Sequence, residues 1–256
     1  MTDHTPVASL ALGNPWEALR RHTAARIALG RVGASLPTAE VLRLGLAHAQ
    51  ARDAVHTPLD FDALASDMLS DGWRTQRVSS QAQDRQTYLL RPDLGRRLRE
   101  TDALALRTIG TIMELAIVVA DGLSSTAVQR HAVPLLASFR TVFETDWTKV
   151  PVILVEQGRV AIGDDIGEAL QARLVVVLIG ERPGLSSPDS LGIYLTFAPR
   201  RGRMDSERNC ISNVRPEGLD YAAAACKLAN LCRGALIGGL TGVALKEDSD
   251  FPPSLP

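Results

Sequence analysis

Three short runs of apolar residues constrain this chain more than any other feature of its sequence. Leu115–Ala120, Val152–Val155 and Leu174–Gly180 are almost continuous in aliphatic side chains, and the first two are each followed by a stretch patterned for a helix. A strand that is apolar on both sides must be covered on both sides, and a strand that returns through a helix runs parallel to its predecessor. The alternation predicts an α/β fold with a Rossmann-like, mostly parallel sheet flanked by helices. Thr126–Val142 and Asp164–Ala172 are the predicted crossover helices, and Leu191–Phe197 and Cys210–Val214 are further strands. A helix rich in Ala and Leu, Tyr221–Gly239, closes the unit.

Upstream of about residue 110 the texture is different. Asn14-Pro15-Trp16-Glu17 supplies a capping residue, a proline at the first helical position and a glutamate at the third, which predicts a helix over Ala18–Gly30. A second is predicted at Thr38–His56, where Val41, Leu42, Leu44, Leu46 and Ala49 read as an apolar stripe, and a third at Asp60–Ser70. Val78–Arg91 has weak strand character broken by a polar loop, and Pro92-Asp93-Leu94-Gly95 opens a basic helix, Arg96–Arg107. The expected organisation is a helical N-terminal segment over 1–110 and the Rossmann-like domain over 111–256. The polar first dozen residues and Pro252–Pro256 are expected to fray.

Composition narrows the function classes. A formal charge of −1 leaves no positive excess to neutralise a run of phosphates, which argues against a nucleic-acid binder. Three cysteines, an odd number, in a chain with no basic-then-apolar opening favour a reducing cytoplasmic compartment over a disulfide-built secreted protein. No apolar run approaches the ~20 residues of a membrane helix. Neither Gly-x-Gly-x-x-Gly nor Gly-x-x-x-x-Gly-Lys-Ser/Thr occurs, so dinucleotide and P-loop nucleotide binding have no support. Cys-x-x-Cys and His-Glu-x-x-His are missing too. His4, His22, His48, His56 and His131 are scattered without metal-ligand spacing.

Open parallel sheets take ligands at the carboxyl ends of their strands, so the informative residues follow each apolar run. These are Asp121–Ser125, Glu156–Val160 and Gly180–Leu185. Gly122, Gly158, Gly180 and Gly184 allow backbone to come close to a ligand, whereas Pro183 stiffens the last loop. Glu181 is either solvated at the rim or an acceptor for a bound polar molecule, and pattern leaves both open. Cys210 reads as a buried, inert thiol in the absence of an identifiable base, and Cys226 and Cys232 as core. The pairs Arg20-Arg21, Arg96-Arg97 and Arg200-Arg201 read as solvated faces that also suit a carboxylate-rich partner.

Taken in series, Arg91–Leu98, Asp121–Ser124, Gly158–Val160, Asp165–Glu168, Gly180-Glu181-Arg182-Pro183-Gly184-Leu185 and Arg208-Asn209-Cys210-Ile211-Ser212-Asn213 resemble the small (light) subunit of ethanolamine ammonia-lyase. The resemblance covers about residues 14 to 246. It implies an adenosylcobalamin-dependent radical enzyme that converts ethanolamine to acetaldehyde and ammonia. The small subunit covers the lower face of cobalamin, and a large barrel subunit binds the substrate. Cobalamin-contacting positions of the family carry over onto Val160, Glu181 and Cys210, which makes 111–256 a cobalamin-contacting domain without catalytic residues of its own. The sequence has no Asp-x-His-x-x-Gly, in agreement with a family whose cofactor keeps its own base on cobalt. Small subunits of microcompartment-forming bacteria carry a longer amphipathic leader than the short polar stretch before Asn14, so a dispersed cytoplasmic enzyme is expected over one packaged in a microcompartment. The alternative is a non-catalytic binding or assembly protein that kept the Rossmann-like fold; a flavodoxin-like or nucleotide-binding enzyme is a third reading.

Overall fold

The apolar runs form the middle of one sheet in the computed structural model, which describes residues 14–109 and 112–246. Along the chain come helices α1 (Thr38–His56) and α2 (Phe61–Ser70), strand β1 (Thr75–Ser79), then helices α3 (Arg85–Leu90), α4 (Pro92–Gly95) and α5 (Glu100–Arg107). Strand β2 (Met113–Ala120), α6 (Ser125–Val142), β3 (Val152–Glu156), α7 (Ile162–Ala169) and β4 (Ala172–Gly180) make the parallel unit. Strands β5 (Leu191–Phe197) and β6 (Asn209–Val214) and helix α8 (Tyr221–Gly238) complete it.

The strands stand in the order β1-β3-β2-β4-β5-β6, and β5 alone runs against the rest. Its reversal follows from the connections. The Glu181–Ser190 and Ala198–Arg208 loops are too short for the dozen or more residues of a parallel crossover. The mostly parallel, helix-flanked sheet expected from the sequence is therefore what forms, with a hairpin-like extension at one side.

Alternation along each strand divides the core between two faces. Leu115, Ile117 and Val119 of β2, Leu174, Val176 and Leu178 of β4, and Leu191, Ile193 and Leu195 of β5 are buried with α2, α6 and α8 on the first face. Ala116, Val118, Ala120, Val175, Val177 and Ile179 point the other way and are buried with α5 and α7. On the second face α7 lies directly on β4, because Gly163 has no side chain: a Cβ there would sit 2.4 Å from Val177 Cγ2. Among the described residues the second face of β5 and β6 has no helix of its own, and Cys210 and Ser212 are exposed on it.

Several N-terminal expectations change. Residues 75–79, within the weak-strand stretch and just before it, pair with β3 as the sheet's edge strand, so the helical segment also contributes to the sheet. Ala18–Gly30 forms only a 3-10 turn, Glu17–His22, and then leaves helical geometry. Good helix formers are overridden because this stretch spends its hydrogen bonds elsewhere: Arg26 Nη2 donates to the Leu185 carbonyl at 3.1 Å, and Ala25 N–H to Thr23 Oγ1 at 3.1 Å. The basic helix splits, with a break after Gly95 and a restart at Glu100, where Leu98 N–H turns to a side chain of α7. Helix α1 forms as expected, but its stripe does not pack inward. Val41, Leu42 and Leu46 are exposed, and only Ala47 and Ala54 are buried. The two chain ends expected to fray lie outside the described residues. No helix among the described residues is long and apolar enough to cross a membrane.

This distribution predicts unequal costs for one chemical change. Leu64→Ala on α2, fully buried, should lower the free energy of unfolding by about 2–5 kcal/mol. Leu42→Ala on α1, 68% exposed, should stay within ~0.5 kcal/mol. Urea titration of both variants measures this, and comparable losses would mean that the α1 stripe is core after all.

Candidate functional site

A doubly wound sheet places its ligand crevice where the crossovers diverge, here between the carboxyl ends of β2 and β4. That crevice is filled by the chain itself. Leu123 N–H donates to the Gly180 carbonyl at 2.8 Å, a Cβ on Gly122 (φ +62°) would lie 2.3 Å from that same oxygen, and a Cβ on Gly180 would lie 2.0 Å from the Ser124 carbonyl oxygen. The glycines expected to admit a ligand instead admit their own backbone.

Asp121 fastens the neighbouring loops. Buried at the end of β2, it accepts from Gly122 N–H at 2.9 Å and from Gln157 and Gly158 N–H at 3.0 Å each, with Arg85 Nη1 3.8 Å away. Two successive strand ends are thus tied by one carboxylate. Burial nevertheless dominates its ionisation and pushes its pKa up to about 6, against the lowering effect of the three N–H donors and Arg85.

The sequence-predicted residues converge elsewhere, on the open second face beside α7. Glu181 begins the loop after β4; its Oε2 accepts from Asn213 N–H at 3.2 Å and from the Ser190 hydroxyl. Its backbone N–H donates to the Ser190 carbonyl at 2.9 Å. The carboxylate is therefore half-buried and held by hydrogen bonds within the chain. Cys210 lies on β6 opposite Tyr194 of β5. Its thiol is exposed on this face and not buried as expected, because alternation sends Ile211 to the core and Cys210 outward. Local burial still raises the thiol pKa, with Tyr194 lowering it and Glu181 raising it, so a reactive thiolate is disfavoured. Cys226 of α8 is likewise exposed, whereas Cys232 is buried.

Val160 occupies the turn before α7 and packs, half-buried, against the second-face core. Helix α7 runs against the direction of β4, with Gly163 over Val177 and Gly167 over Val175 and Pro199. Its N-terminal end, and Val160 with it, therefore points toward the Ile179–Glu181 end of β4. The three residues thus share one face and one side of the sheet.

Residues not singled out from the sequence fix this arrangement. Asp164 of α7 takes a two-pronged contact from Arg208, at 2.6 and 2.8 Å, and Arg208 also donates to Thr196 Oγ1 at 3.2 Å and to the Arg203 carbonyl at 2.8 Å. Asp165 accepts from Leu98 N–H at 3.1 Å and from Arg201 at 3.1 and 3.0 Å, with Arg97 Nη1 3.6 Å away. Arg97 and Arg201, read as solvated, are partly spent on the chain's own carboxylates. The signal available in the sequence was the adjacent Asp164-Asp165 on an otherwise apolar helix, which requires buried cations. A cleft of about 430 Å³ lies alongside, lined in part by Arg96, Ala161 and Asp164. No cluster among the described residues has the makings of a metal site, and His131, the one buried histidine among them, lies on α6 on the opposite face, 2.8 Å from Tyr221 Oη.

The raised Asp121 pKa has a testable sign. A carboxyl whose folded pKa exceeds its unfolded value stabilises the fold fully below 3.8 and loses that contribution as pH rises through about 6. Relative to Asp121→Asn, the native chain should lose on the order of 2–3 kcal/mol of unfolding free energy between about pH 4 and pH 7. Urea unfolding at stepped pH measures the difference, and an opposite slope would show that the three N–H donors outweigh burial.

The comparisons with known proteins agree on one family. The profile of the ethanolamine ammonia-lyase light chain matches residues 13–246. The small subunit from Azotobacter vinelandii is 57% identical over 98% of this chain and 93% of its own length. That from Ralstonia nicotianae is 55% identical over 98% and 94%, and that from Xanthomonas campestris pv. campestris 55% over 93% and 89%. Identity this high along nearly the whole length of both chains carries the same fold, and the chain belongs to the ethanolamine ammonia-lyase light-chain family.

Proposed function

We propose that this chain is the small subunit of an adenosylcobalamin-dependent ethanolamine ammonia-lyase and that its open β5–β6 face covers the lower side of cobalamin. The large subunit binds ethanolamine and, with this chain, forms the active hetero-oligomer in the cytoplasm. The observation that carries the reading is the placement of Glu181 and Cys210 about the second face of β5 and β6, with Val160 at the turn before α7 on the same side of the sheet.

The residues present fit the cofactor. Cobalamin is a flat ring fringed with acetamide and propionamide arms, rich in N–H donors, and it needs a broad shallow surface with fixed acceptors. The β5–β6 face supplies such a surface. Glu181 would hold arm N–H groups with a carboxylate already oriented by Ser190 and Asn213. Val160 would pack against the cofactor's apolar parts and Cys210 would line its path as a neutral thiol. When bound, the cofactor would supply the radical chemistry. This chain's part is to orient the cofactor and exclude water from one side.

The exposed Val41, Leu42 and Leu46 of α1 give the chain apolar surface for assembly, and the Arg26 and Ser186 contacts hold the N-terminal stretch beside the loop that carries Glu181. The test is co-expression with an ethanolamine ammonia-lyase large subunit, followed by size-exclusion chromatography and an ammonia-release assay with varied adenosylcobalamin. One hetero-oligomeric species is expected, with no turnover by the isolated chain. Glu181→Gln should weaken apparent cofactor affinity about 5- to 150-fold, the equivalent of roughly 1–3 kcal/mol, with a smaller fall in kcat at saturation. Turnover by the isolated chain, separate peaks, or unchanged cofactor affinity in the assembled variant would each overturn the reading.

A further inference from the structure

Between Glu181 and Cys210 the face carries a residue that the family resemblance does not assign. Tyr194, on β5, is half-buried on the second face and directly opposite Cys210 on β6. Two residues before it stands Gly192, which also points to this face. A Cβ built on Gly192 would lie 3.0 Å from Glu181 Oε1, 3.1 Å from Glu181 Cγ and 3.2 Å from Tyr194 Cε2. Glu181 Oε1 and the Cε2 edge of the phenol ring therefore both border the position that a side chain on Gly192 would occupy, and the missing side chain is what lets them.

The two groups have complementary chemistry. Glu181 is an acceptor only, and its Oε2 is occupied by Ser190 and Asn213. No hydrogen bond occupies Oε1 among the described residues. Tyr194 is a neutral donor. Burial, helped by the charge and the side-chain hydrogen bond of Cys210 and by Glu181 nearby, raises its pKa further above the ordinary phenol value, so it keeps its proton throughout the physiological range, and its hydroxyl can take the Cys210 S–H while donating to a ligand. A fixed acceptor and a fixed donor side by side match a primary carboxamide, which presents an N–H and a carbonyl oxygen at neighbouring positions.

We propose that Glu181 and Tyr194 together form a carboxamide-reading pair, with Glu181 accepting the amide N–H and Tyr194 donating to the amide carbonyl of one peripheral arm of the cofactor. Tyr194 is on this account a positioning and specificity residue. The inference rests on the cobalamin reading above and deepens it by naming the group recognised. A carboxylic acid in place of that amide would put two carboxylates together and lose the N–H donor, so the pair selects for amide against acid.

Equilibrium binding tests it without relying on turnover. The assembled enzyme is titrated with cyanocobalamin and with the monocarboxylic acids in which one peripheral amide is hydrolysed, and binding is followed by visible absorption. For the wild type, one of the acids should bind at least about tenfold more weakly than cyanocobalamin, while the others bind comparably. Glu181→Gln should reduce that penalty to about threefold or less, because the neutral amide tolerates the acid. Tyr194→Phe keeps the ring and packing but removes the donor, and should weaken cyanocobalamin by about 5- to 20-fold with assembly intact. Equal binding of all the acids, or wild-type affinity in Tyr194→Phe, would overturn the pair. If either result accompanied a weakened Glu181→Gln, the cobalamin reading would survive alone; if Glu181→Gln also bound normally, both would fall.

Discussion

The buried contact between Asp164 and Arg208 is the constraint on which the open face depends. Each side chain is almost fully enclosed, at 3% and 2% exposure. Removing two charges from water is costly, and the mutual attraction repays it only with good geometry and further partners. Both conditions are met: two short contacts join the pair, and Arg208 also reaches Thr196 and the Arg203 carbonyl. Such a pair adds little net stability over an apolar substitute, but either half left alone is severely unfavourable. It therefore acts as a device for position. It joins the first turn of α7 to the residue just before β6, and so fixes the two borders of the exposed surface.

Asp165, on the next residue of α7, extends the same logic to the other side by holding Leu98 and Arg201. Helix α7 is consequently held from below by the close approach at Gly163, from one flank by the chain before α5, and from the other by the loop between β5 and β6. A short helix of this length has little stability of its own. Its rigidity is tertiary, and a rigid α7 is what gives Val160 a defined place beside the sheet. Glu181 is positioned by the equivalent economy of means: one carboxylate, one hydroxyl from its own loop, and one backbone N–H from β6.

The topological crevice and the open face are alternatives for a ligand, and the packing chooses between them. In many doubly wound sheets the crevice takes a nucleotide phosphate on a glycine-rich turn. Here Gly122 and Gly180 let the β2 and β4 loops close against each other, and Asp121 draws the β3 loop into the same knot. What remains is the flank of β5 and β6, whose second face no helix among the described residues covers and where Cys210 and Ser212 are exposed.

Alternating apolar runs determined the sheet, its mostly parallel sense and the helices between β2 and β4, because burial on both faces leaves one way to connect such strands. The resemblance in the motifs also singles out Val160, Glu181 and Cys210 as candidates. Other features were not legible locally. The fate of Glu181 depended on Ser190 and on Asn213, far along the chain, and the exposure of Cys210 depended on which face of β6 lacked a helix. The stripe on α1 satisfied helical periodicity yet faces outward, since periodicity shows that a face is apolar and not what covers it. Tyr194 carried no sequence signal, and its importance arises only because Gly192 brings it beside a carboxylate from another loop. Local pattern specifies elements through short-range burial and hydrogen bonding; the site is made of contacts between segments distant in sequence, and only the folded chain brings those together.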